Sequence, residues 1–294
     1  MNDRSPVNLA IRYLLYDISP AMQLRLLYRY YHRRKLDLNH PQTLDEKIQW
    51  MKLHYYRDNA LVKQCADKLR VRDYVADCGL GEILNPLIAV YRNPGEIAWD
   101  TLPQRFVLKW NFGAGGNYIC TDKSSVNRPA VERELDCFGR LAYHKLAAEP
   151  QYDMVKRLLC ESFIETADGG QPDDYKFYCF GGKPLYVLCC HGRVGEQRPS
   201  FYFFDRDWRL QRFNRQGKEA PEGFTIPKPE GMDELFRYAE ILAKPFPFVR
   251  ADFYLERGKV WFGELTFTPS GGFDTGRLPE TDQFFGSLVP LPQQ

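Results

Sequence analysis

Apolar positions in the first third of the chain recur at helical spacing. Leu9, Leu14, Leu15, Ile18, Met22, Leu26 and Leu27 fall near a 3.6-residue period, which predicts helix over residues 7–34 with a break at Ser19-Pro20. The second piece ends in RYYHRRK, Arg29 to Lys35. Basic residues close a helix well, and they would also touch an anionic membrane surface; the pattern leaves both open. TLDEKIQWMKLHY, residues 43–55, predicts another helix, with Thr43 as N-cap and Glu46 completing a capping box. CADKLRVRDYVADCGL, residues 65–80, predicts an amphipathic helix ending near Gly79.

Farther along, the period changes. A short strand is expected around Leu84–Tyr91, followed by RFVLKWN (residues 105–111), a glycine-rich loop, a helix over residues 128–148 and a strand LLCESFI (residues 158–164). Tyr175 to Cys190 reads as a hairpin of two aromatic-rich strands around Gly181-Gly182. SFYFFD and WRLQRF predict a second hairpin, and residues 232–244 a helix.

The last hairpin breaks the apolar pattern. In RADFYLERGKVWFGELTF, Arg250 to Phe267, strand alternation puts Arg250, Asp252 and Tyr254 on one face, and Glu264 and Thr266 share a face on the return strand. Asp252 and Glu264 have equal parity, so an odd-length loop is needed to bring them opposite each other. A three-residue loop Arg257-Gly258-Lys259 would do so. Opposed Cβ atoms lie roughly 4.5–5.5 Å apart, where like charges are destabilising unless something compensates. Mg²⁺ is a natural compensator, and removing either carboxylate is expected to relieve repulsion in the metal-free protein. A solvated face with a surface Arg–Asp pair is the plainer alternative.

Composition narrows the class. The 294 residues are 44% hydrophobic and 27% charged, which describes a folded chain with room for two or three subdomains. A formal net charge of +2 argues against global nucleic-acid binding. The 20 Phe and 18 Tyr favour sheet-rich packing. The eight cysteines form no C-x-x-C pair and are expected to be reduced, mostly buried and cytosolic. No apolar run approaches the ~20 residues of a membrane span, and Asp3, Arg4 and Pro6 fit no cleavable signal, so a cytoplasmic protein is expected.

Three further segments carry chemistry. KWNFGAGGNYI combines Lys109 at a strand end with Gly113, Gly115 and Gly116, a composition that lets backbone N–H groups approach phosphate. It is neither a Walker A loop nor a dinucleotide fingerprint, and a plain hairpin turn would also fit. In CESFIE, Glu161 or Glu165 would accept from a ribose hydroxyl, or merely mark an edge strand. In DDYKFY, Lys176 lies among aromatic residues, a setting that favours a phosphate contact over snorkelling.

Taken in order, these segments resemble the ATP-grasp superfamily, and specifically the TupA-like ATP-grasp proteins of bacterial surface-polysaccharide gene clusters. The resemblance spans roughly residues 40 to 290 and rests on LDEKIQWMKL, ADKLRVRDYV, FVLKWNFGAGGN, DDYKFYCFGGKP and FPFVRADFYLERGKVWFGELTFTPSGGF. It implies an α+β ATP-grasp fold, with two α+β lobes sandwiching the nucleotide behind an N-terminal helical segment. The implied division is residues 1–62 for that segment, 63–157 for the small lobe with its flap, and 158–294 for the C-terminal lobe. The implied cofactors are ATP and Mg²⁺.

The resemblance also implies roles at matched positions. Arg72 stands at the place of the phosphate-contacting lysine of D-alanine–D-alanine ligases, with Lys68 as second choice. Lys109 matches the phosphate-binding lysine, and Gly113 to Asn117, with Gly115 and Gly116, the flap. Glu161 to Ile164 match the hinge that packs adenine and holds ribose. Lys176 meets phosphate, Asp252 and Glu264 match the Mg²⁺ carboxylates, and Arg250 the cation near the reacting carboxylate. Thr266 stands where most relatives have Asn, which puts the second metal's coordination in question. The implied activity is carboxylate–amine ligation through an acylphosphate, with an amino acid joined to a uronic-acid-type carboxylate. A phosphotransferase acting on a sugar or lipid-linked hydroxyl and a nucleotide-binding scaffold are the alternatives. The partners are a small-molecule or saccharide carboxylate and an amine, without nucleic acid; membrane or polysaccharide-machinery association would run through the basic N-terminal helix.

Overall fold

The computed structural model describes residues 5–166, 172–191 and 199–292; Asp3 and Arg4 lie outside them. The predicted break at Ser19-Pro20 divides α1 (Pro6–Ile18) from α2 (Pro20–His32), and Ser19 caps the second helix by accepting from Met22 N. α3 (Leu44–His54) begins with the expected capping box of Thr43 and Glu46.

The single helix expected over residues 65–80 is two. α4 (Ala60–Ala66) stops at Asp67, and α5 (Val71–Asp77) follows. The Asp67 carboxylate accepts from Leu69 N and Arg70 N, a local turn that competes with continued helix although the apolar period runs on. This break lets Lys68 N donate to Asn111 O, which turns Lys68 toward the site.

One antiparallel sheet contains β1 (Leu87–Tyr91), β2 (Phe106–Trp110), β3 (Tyr118–Cys120) and β4 (Leu158–Ser162), in the order β1-β4-β2-β3. Phe106, Leu108 and Trp110 point into an apolar cluster with Phe138 and Leu135 of α6 (Arg128–Gly139), leaving Val107 and Lys109 on the opposite face. α6 ends at Gly139, short of the predicted 148. A Cβ at Gly139 would come within 2.3 Å of the Trp110 ring, so this end of the helix lies tight on the sheet. β4 pairs with both β1 and β2, so residues 158–162 join this sheet.

The second sheet has the order β10-β9-β5-β6-β7-β8. β5 (Asp173–Phe180) and β6 (Lys183–His191) form the expected hairpin about Gly181-Gly182, and β7 (Ser200–Asp205) and β8 (Leu210–Gln211) form the next. The short α7 (Arg215–Glu219) and the amphipathic α8 (Met232–Ala243) precede β9 (Phe248–Glu256) and β10 (Lys259–Thr266); α9 (Pro279–Leu288) follows. Phe177, Ala251 and Phe253 bury one face of this sheet against α8, with Phe177 and Phe236 edge to face at 4.8 Å. Alternation therefore turns Asp174, Lys176, Tyr178, Arg250, Asp252 and Tyr254 to the other face.

Candidate active site

Asp252 and Glu264 are register partners across the β9–β10 hairpin, but the device differs from the one expected. The turn has two residues, Arg257 and Gly258, both at positive φ, with Lys259 already paired to Glu256. Such a turn alone would set residue 263 opposite Asp252. A β-bulge between Phe262 and Glu264 adds the odd residue and brings Glu264 onto the Asp252 face. The bulge needs glycine at 263, because a Cβ there would come within 2.8 Å of the Asp252 carbonyl oxygen.

β5, β9 and the edge strand β10 build one charged cluster. Lys176 on β5 is the register partner of Asp252 and donates to its Oδ2 at 2.9 Å and to Asp174 Oδ2 at 2.5 Å. Arg250 holds Asp252 in a fork, with Nε to Oδ1 at 2.7 Å and Nη2 to Oδ2 at 2.6 Å. Arg250 Nη2 also donates to Thr266 Oγ1 at 3.2 Å and lies 3.6 Å from Glu264 Oε1. Thr266 in turn donates to Glu264 Oε1 at 2.9 Å. Asp252 is only 3% exposed. Burial pushes the Glu264 carboxyl up, but Lys68, Arg250 and Lys176 outweigh it and hold it at about 2. Burial pulls the Lys176 ammonium down, and Asp252 and Asp174 more than offset it, so it is raised.

Asp252, Glu264 and Thr266 offer hard oxygen donors on one face. Two carboxylates, completed by substrate phosphate and water, are the usual protein share of a Mg²⁺ site. Among the described residues no group of three or more His, Cys, Asp or Glu comes together to hold a metal, so the acidic pair is what the hairpin offers. The residues fit the ion in donor chemistry, while Arg250 and Lys176 now occupy the oxygens of Asp252.

A second group lies on the four-stranded sheet. Glu161, buried on β4, receives Lys109 Nζ at 2.7 Å and Arg72 Nη1 at 3.5 Å. Arg72 also donates to Asn85 O at 2.9 Å, and Asn85 Nδ2 donates to Ser162 O at 2.8 Å. Lys109, Glu161, Ile164, Asn117, Phe163 and Tyr254 line one cavity between the two sheets. Val107, Ile119, Phe163 and Ile164 give it apolar wall, and Asn85, Lys109, Asn117 and Glu161 polar wall. Glu165 stands outside it, largely exposed and paired with Arg105 at 2.9 Å.

The two basic candidates after Asp67 point differently. Arg72 goes to Glu161, whereas Lys68 Nζ lies 3.5 Å from Glu264 Oε2 and donates to Gly113 O at 2.6 Å. Lys68 therefore links the acidic hairpin to the flap. Burial lowers its ammonium pKa against the pull of Glu264, with Lys109 adding to the lowering. Gly113, Gly115 and Gly116 all have positive φ. Gly116 also abuts Phe138, where a Cβ would come within 2.4 Å of the ring, and Ala114 N donates to Tyr143 OH, so the flap rests on α6 and the turn after it. Asp174 joins the site without having been expected there; its place two residues before Lys176 on one strand is the signal for it.

A larger cavity of about 630 Å³ opens on the other side of the cluster. Lys176 and Arg250 line it with Tyr178, Phe201, Phe203 and Arg277. Along β9, Tyr254 borders the first cavity, Arg250 the second, and Asp252 lies between them at steps of about 7 Å.

A family model described as TupA-like ATPgrasp matches residues 46–290. No curated protein matches significantly. Among solved structures, the chain is similar to the L-amino acid ligase from Bacillus licheniformis, with a TM-score of 0.49, 11% identity, and 87% of this chain and 56% of that one covered. It is similar to the D-alanine–D-alanine ligase from Helicobacter pylori, at a TM-score of 0.42 and 14% identity, covering 78% and 60%. It is also similar to the D-alanine–D-alanine ligase from Bacillus anthracis complexed with ATP, at 0.44 and 14%, covering 77% and 62%. The chain thus spans only 56% to 62% of the length of these structures. The family match takes in both sheets and every candidate residue named above, and the chain belongs to the TupA-like ATPgrasp family.

Proposed function

We propose that this ATP-grasp protein, which takes ATP with Mg²⁺, is an ADP-forming carboxylate–amine ligase working through an acylphosphate. One observation carries the reading: a single strand face, Arg250–Asp252–Tyr254, separates a cleft lined by Lys109 and Glu161 from a second, cation-lined cavity. An enzyme that passes a phosphoryl group from ATP to a second substrate needs two sites meeting at one charged point.

Lys109 and Lys68 would neutralise phosphate, with Glu161 turning from Lys109 to a ribose hydroxyl as nucleotide enters. Asp252 and Glu264, with Thr266 beside them, would hold Mg²⁺, which when bound screens the charge on the transferring phosphoryl group. A carboxylate oxygen of the substrate attacks the γ-phosphorus and ADP leaves. The amine then attacks the acyl carbon, and phosphate departs with the oxygen it gained. Arg250 and Lys176, released from Asp252 by the metal, would bind the substrate carboxylate and then the oxyanion of the tetrahedral intermediate. Gly113 to Asn117 would close over the phosphates and exclude water, which would otherwise hydrolyse the acylphosphate.

The carboxylate is a uronic-acid type and the amine an amino acid, in cell-surface polysaccharide synthesis at the inner face of the bacterial membrane. Aromatic Phe201 and Phe203 beside Arg250, Lys176 and Arg277 suit an acidic saccharide. The test is Mg²⁺-ATP turnover with uronic acids and pooled amino acids, reading ADP and amide mass. Amide with stoichiometric ADP supports the ligase. A phosphorylated sugar without free phosphate supports a phosphotransferase, and nucleotide binding without turnover a scaffold.

A further inference from the structure

Helix α1 is apolar on both sides, with Leu9, Tyr13 and Tyr16 packed against the body. Arg12 and Asp17 tether it there: Arg12 Nη1 donates to Leu146 O at 2.9 Å, and Asp17 pairs with Lys145 at 2.6 Å. Gln23 of α2 donates to Arg12 O at 2.7 Å and to Lys145 O at 2.7 Å, locking that orientation. The opposite face carries Val7, Ile11, Leu14 and Ile18, at 68%, 50%, 61% and 62% exposure. Spacings of four, three and four residues align them as one stripe. A stripe of four large aliphatic side chains in water is costly and marks an interaction surface.

The neighbouring helix says what covers it. Arg25, Arg29 and Arg33, four residues apart, run exposed along α2 and its C-terminal cap beside exposed Leu26 and Tyr30, and Lys35 is exposed just beyond. α2 has no acidic residue. An exposed aliphatic stripe on one helix and an exposed arginine row with Tyr30 on the helix packed beside it suit a helix pair lying in the headgroup region of an anionic bilayer. α1 has 13 residues and is about 20 Å long, too short to span, and no described helix is long and apolar enough to cross a membrane. Self-pairing fits less well. Two copies joined through this face would bring identical arginine rows together, and the stripe covers two heptads where a coiled coil needs about three or four.

We propose that α1 and α2 form a monotopic membrane-binding face that seats the enzyme on anionic lipid, with the α1 stripe in the acyl boundary and the α2 arginines on the headgroups. This gives the membrane location proposed above its physical attachment and does not depend on the ligase chemistry. The test is cosedimentation of the full chain with vesicles of phosphatidylcholine alone or mixed roughly three to one with phosphatidylglycerol. The chain is expected to pellet with the anionic vesicles only, less so as salt rises. Ile11→Ser/Ile18→Ser, and separately Arg29→Glu/Arg33→Glu, should weaken binding at least about tenfold with unchanged melting and ATP affinity. Failure of the wild type to bind, equal binding to neutral vesicles, or binding unaffected by both variants overturns the proposal. So does a concentration-dependent dimer, without vesicle binding, that Ile11→Ser/Ile18→Ser dissolves.

Discussion

Glu264 stands directly across the hairpin from Asp252 because Gly263, the residue between it and the regular register, has no side chain. The bulge converts an even two-residue turn into the odd offset that puts both carboxylates on one face. Gly263→Ala forces a Cβ within 2.8 Å of the Asp252 carbonyl. It should cost about 1–3 kcal/mol and lower Mg²⁺-ATP turnover further than the stability loss explains. Thermal melts alongside ADP formation measure both; full turnover in a folded variant would contradict the role of the bulge.

The folded pKa of Glu264, about 2, lies below its unfolded value near 4.3. A carboxyl depressed in the folded state contributes stability that is present above the unfolded value and lost as pH falls through the folded one. Glu264→Gln should therefore melt below the wild type at neutral pH, with the gap closing between about pH 4.5 and 2. For Glu264 this reverses the expectation that carboxylate repulsion rules the metal-free hairpin, because Lys68, Arg250 and Lys176 compensate its charge, whereas burial raises the Asp252 carboxyl. A variant melting higher at pH 7 would restore the repulsion view.

Removing Lys109 has two consequences. Lys109→Met should weaken ATP binding by about 10- to 100-fold, the worth of a hydrogen bond to a charged group. It also strips the 2.7 Å partner from buried Glu161, so some stability should go with it. Adding Glu161→Gln should recover the stability and leave the affinity low. Calorimetric titration with ATP, beside melts of both variants, separates the two effects.

Much of this site could be read in the sequence, since strand parity alone puts Arg250, Asp252 and Tyr254 on one face. The bulge could not, because an extra loop residue and an extra strand residue shift parity identically; the pairing of Lys259 with Glu256 and the register shift before Glu264 distinguish them. The fused helix over residues 65–80 failed for a related reason: the apolar period continues across Asp67, and the turn that breaks it rests on one side-chain cap. Past that break Lys68 turns to Glu264 and Arg72 to Glu161, so the helix length bears on which of the two stands for the phosphate-contacting lysine. The capping box at Thr43, in contrast, is a local signal and was fully legible.

Lys68 joins the acidic hairpin to the flap through Glu264 and Gly113 O. Lys68→Met should loosen the flap, raising amide exchange over residues 113–117 in the ATP complex, and lower kcat more than ATP affinity. Exchange unchanged over this segment would separate Lys68 from flap closure.

The ligase reading is tested most directly by the fate of one oxygen atom. With a uronic acid labelled with heavy oxygen in its carboxylate, attack on the γ-phosphorus transfers one labelled oxygen to phosphate. Singly labelled inorganic phosphate, formed in step with amide, is the predicted result. ADP with a phosphorylated product and no free phosphate, or unlabelled phosphate accompanying amide, would contradict it.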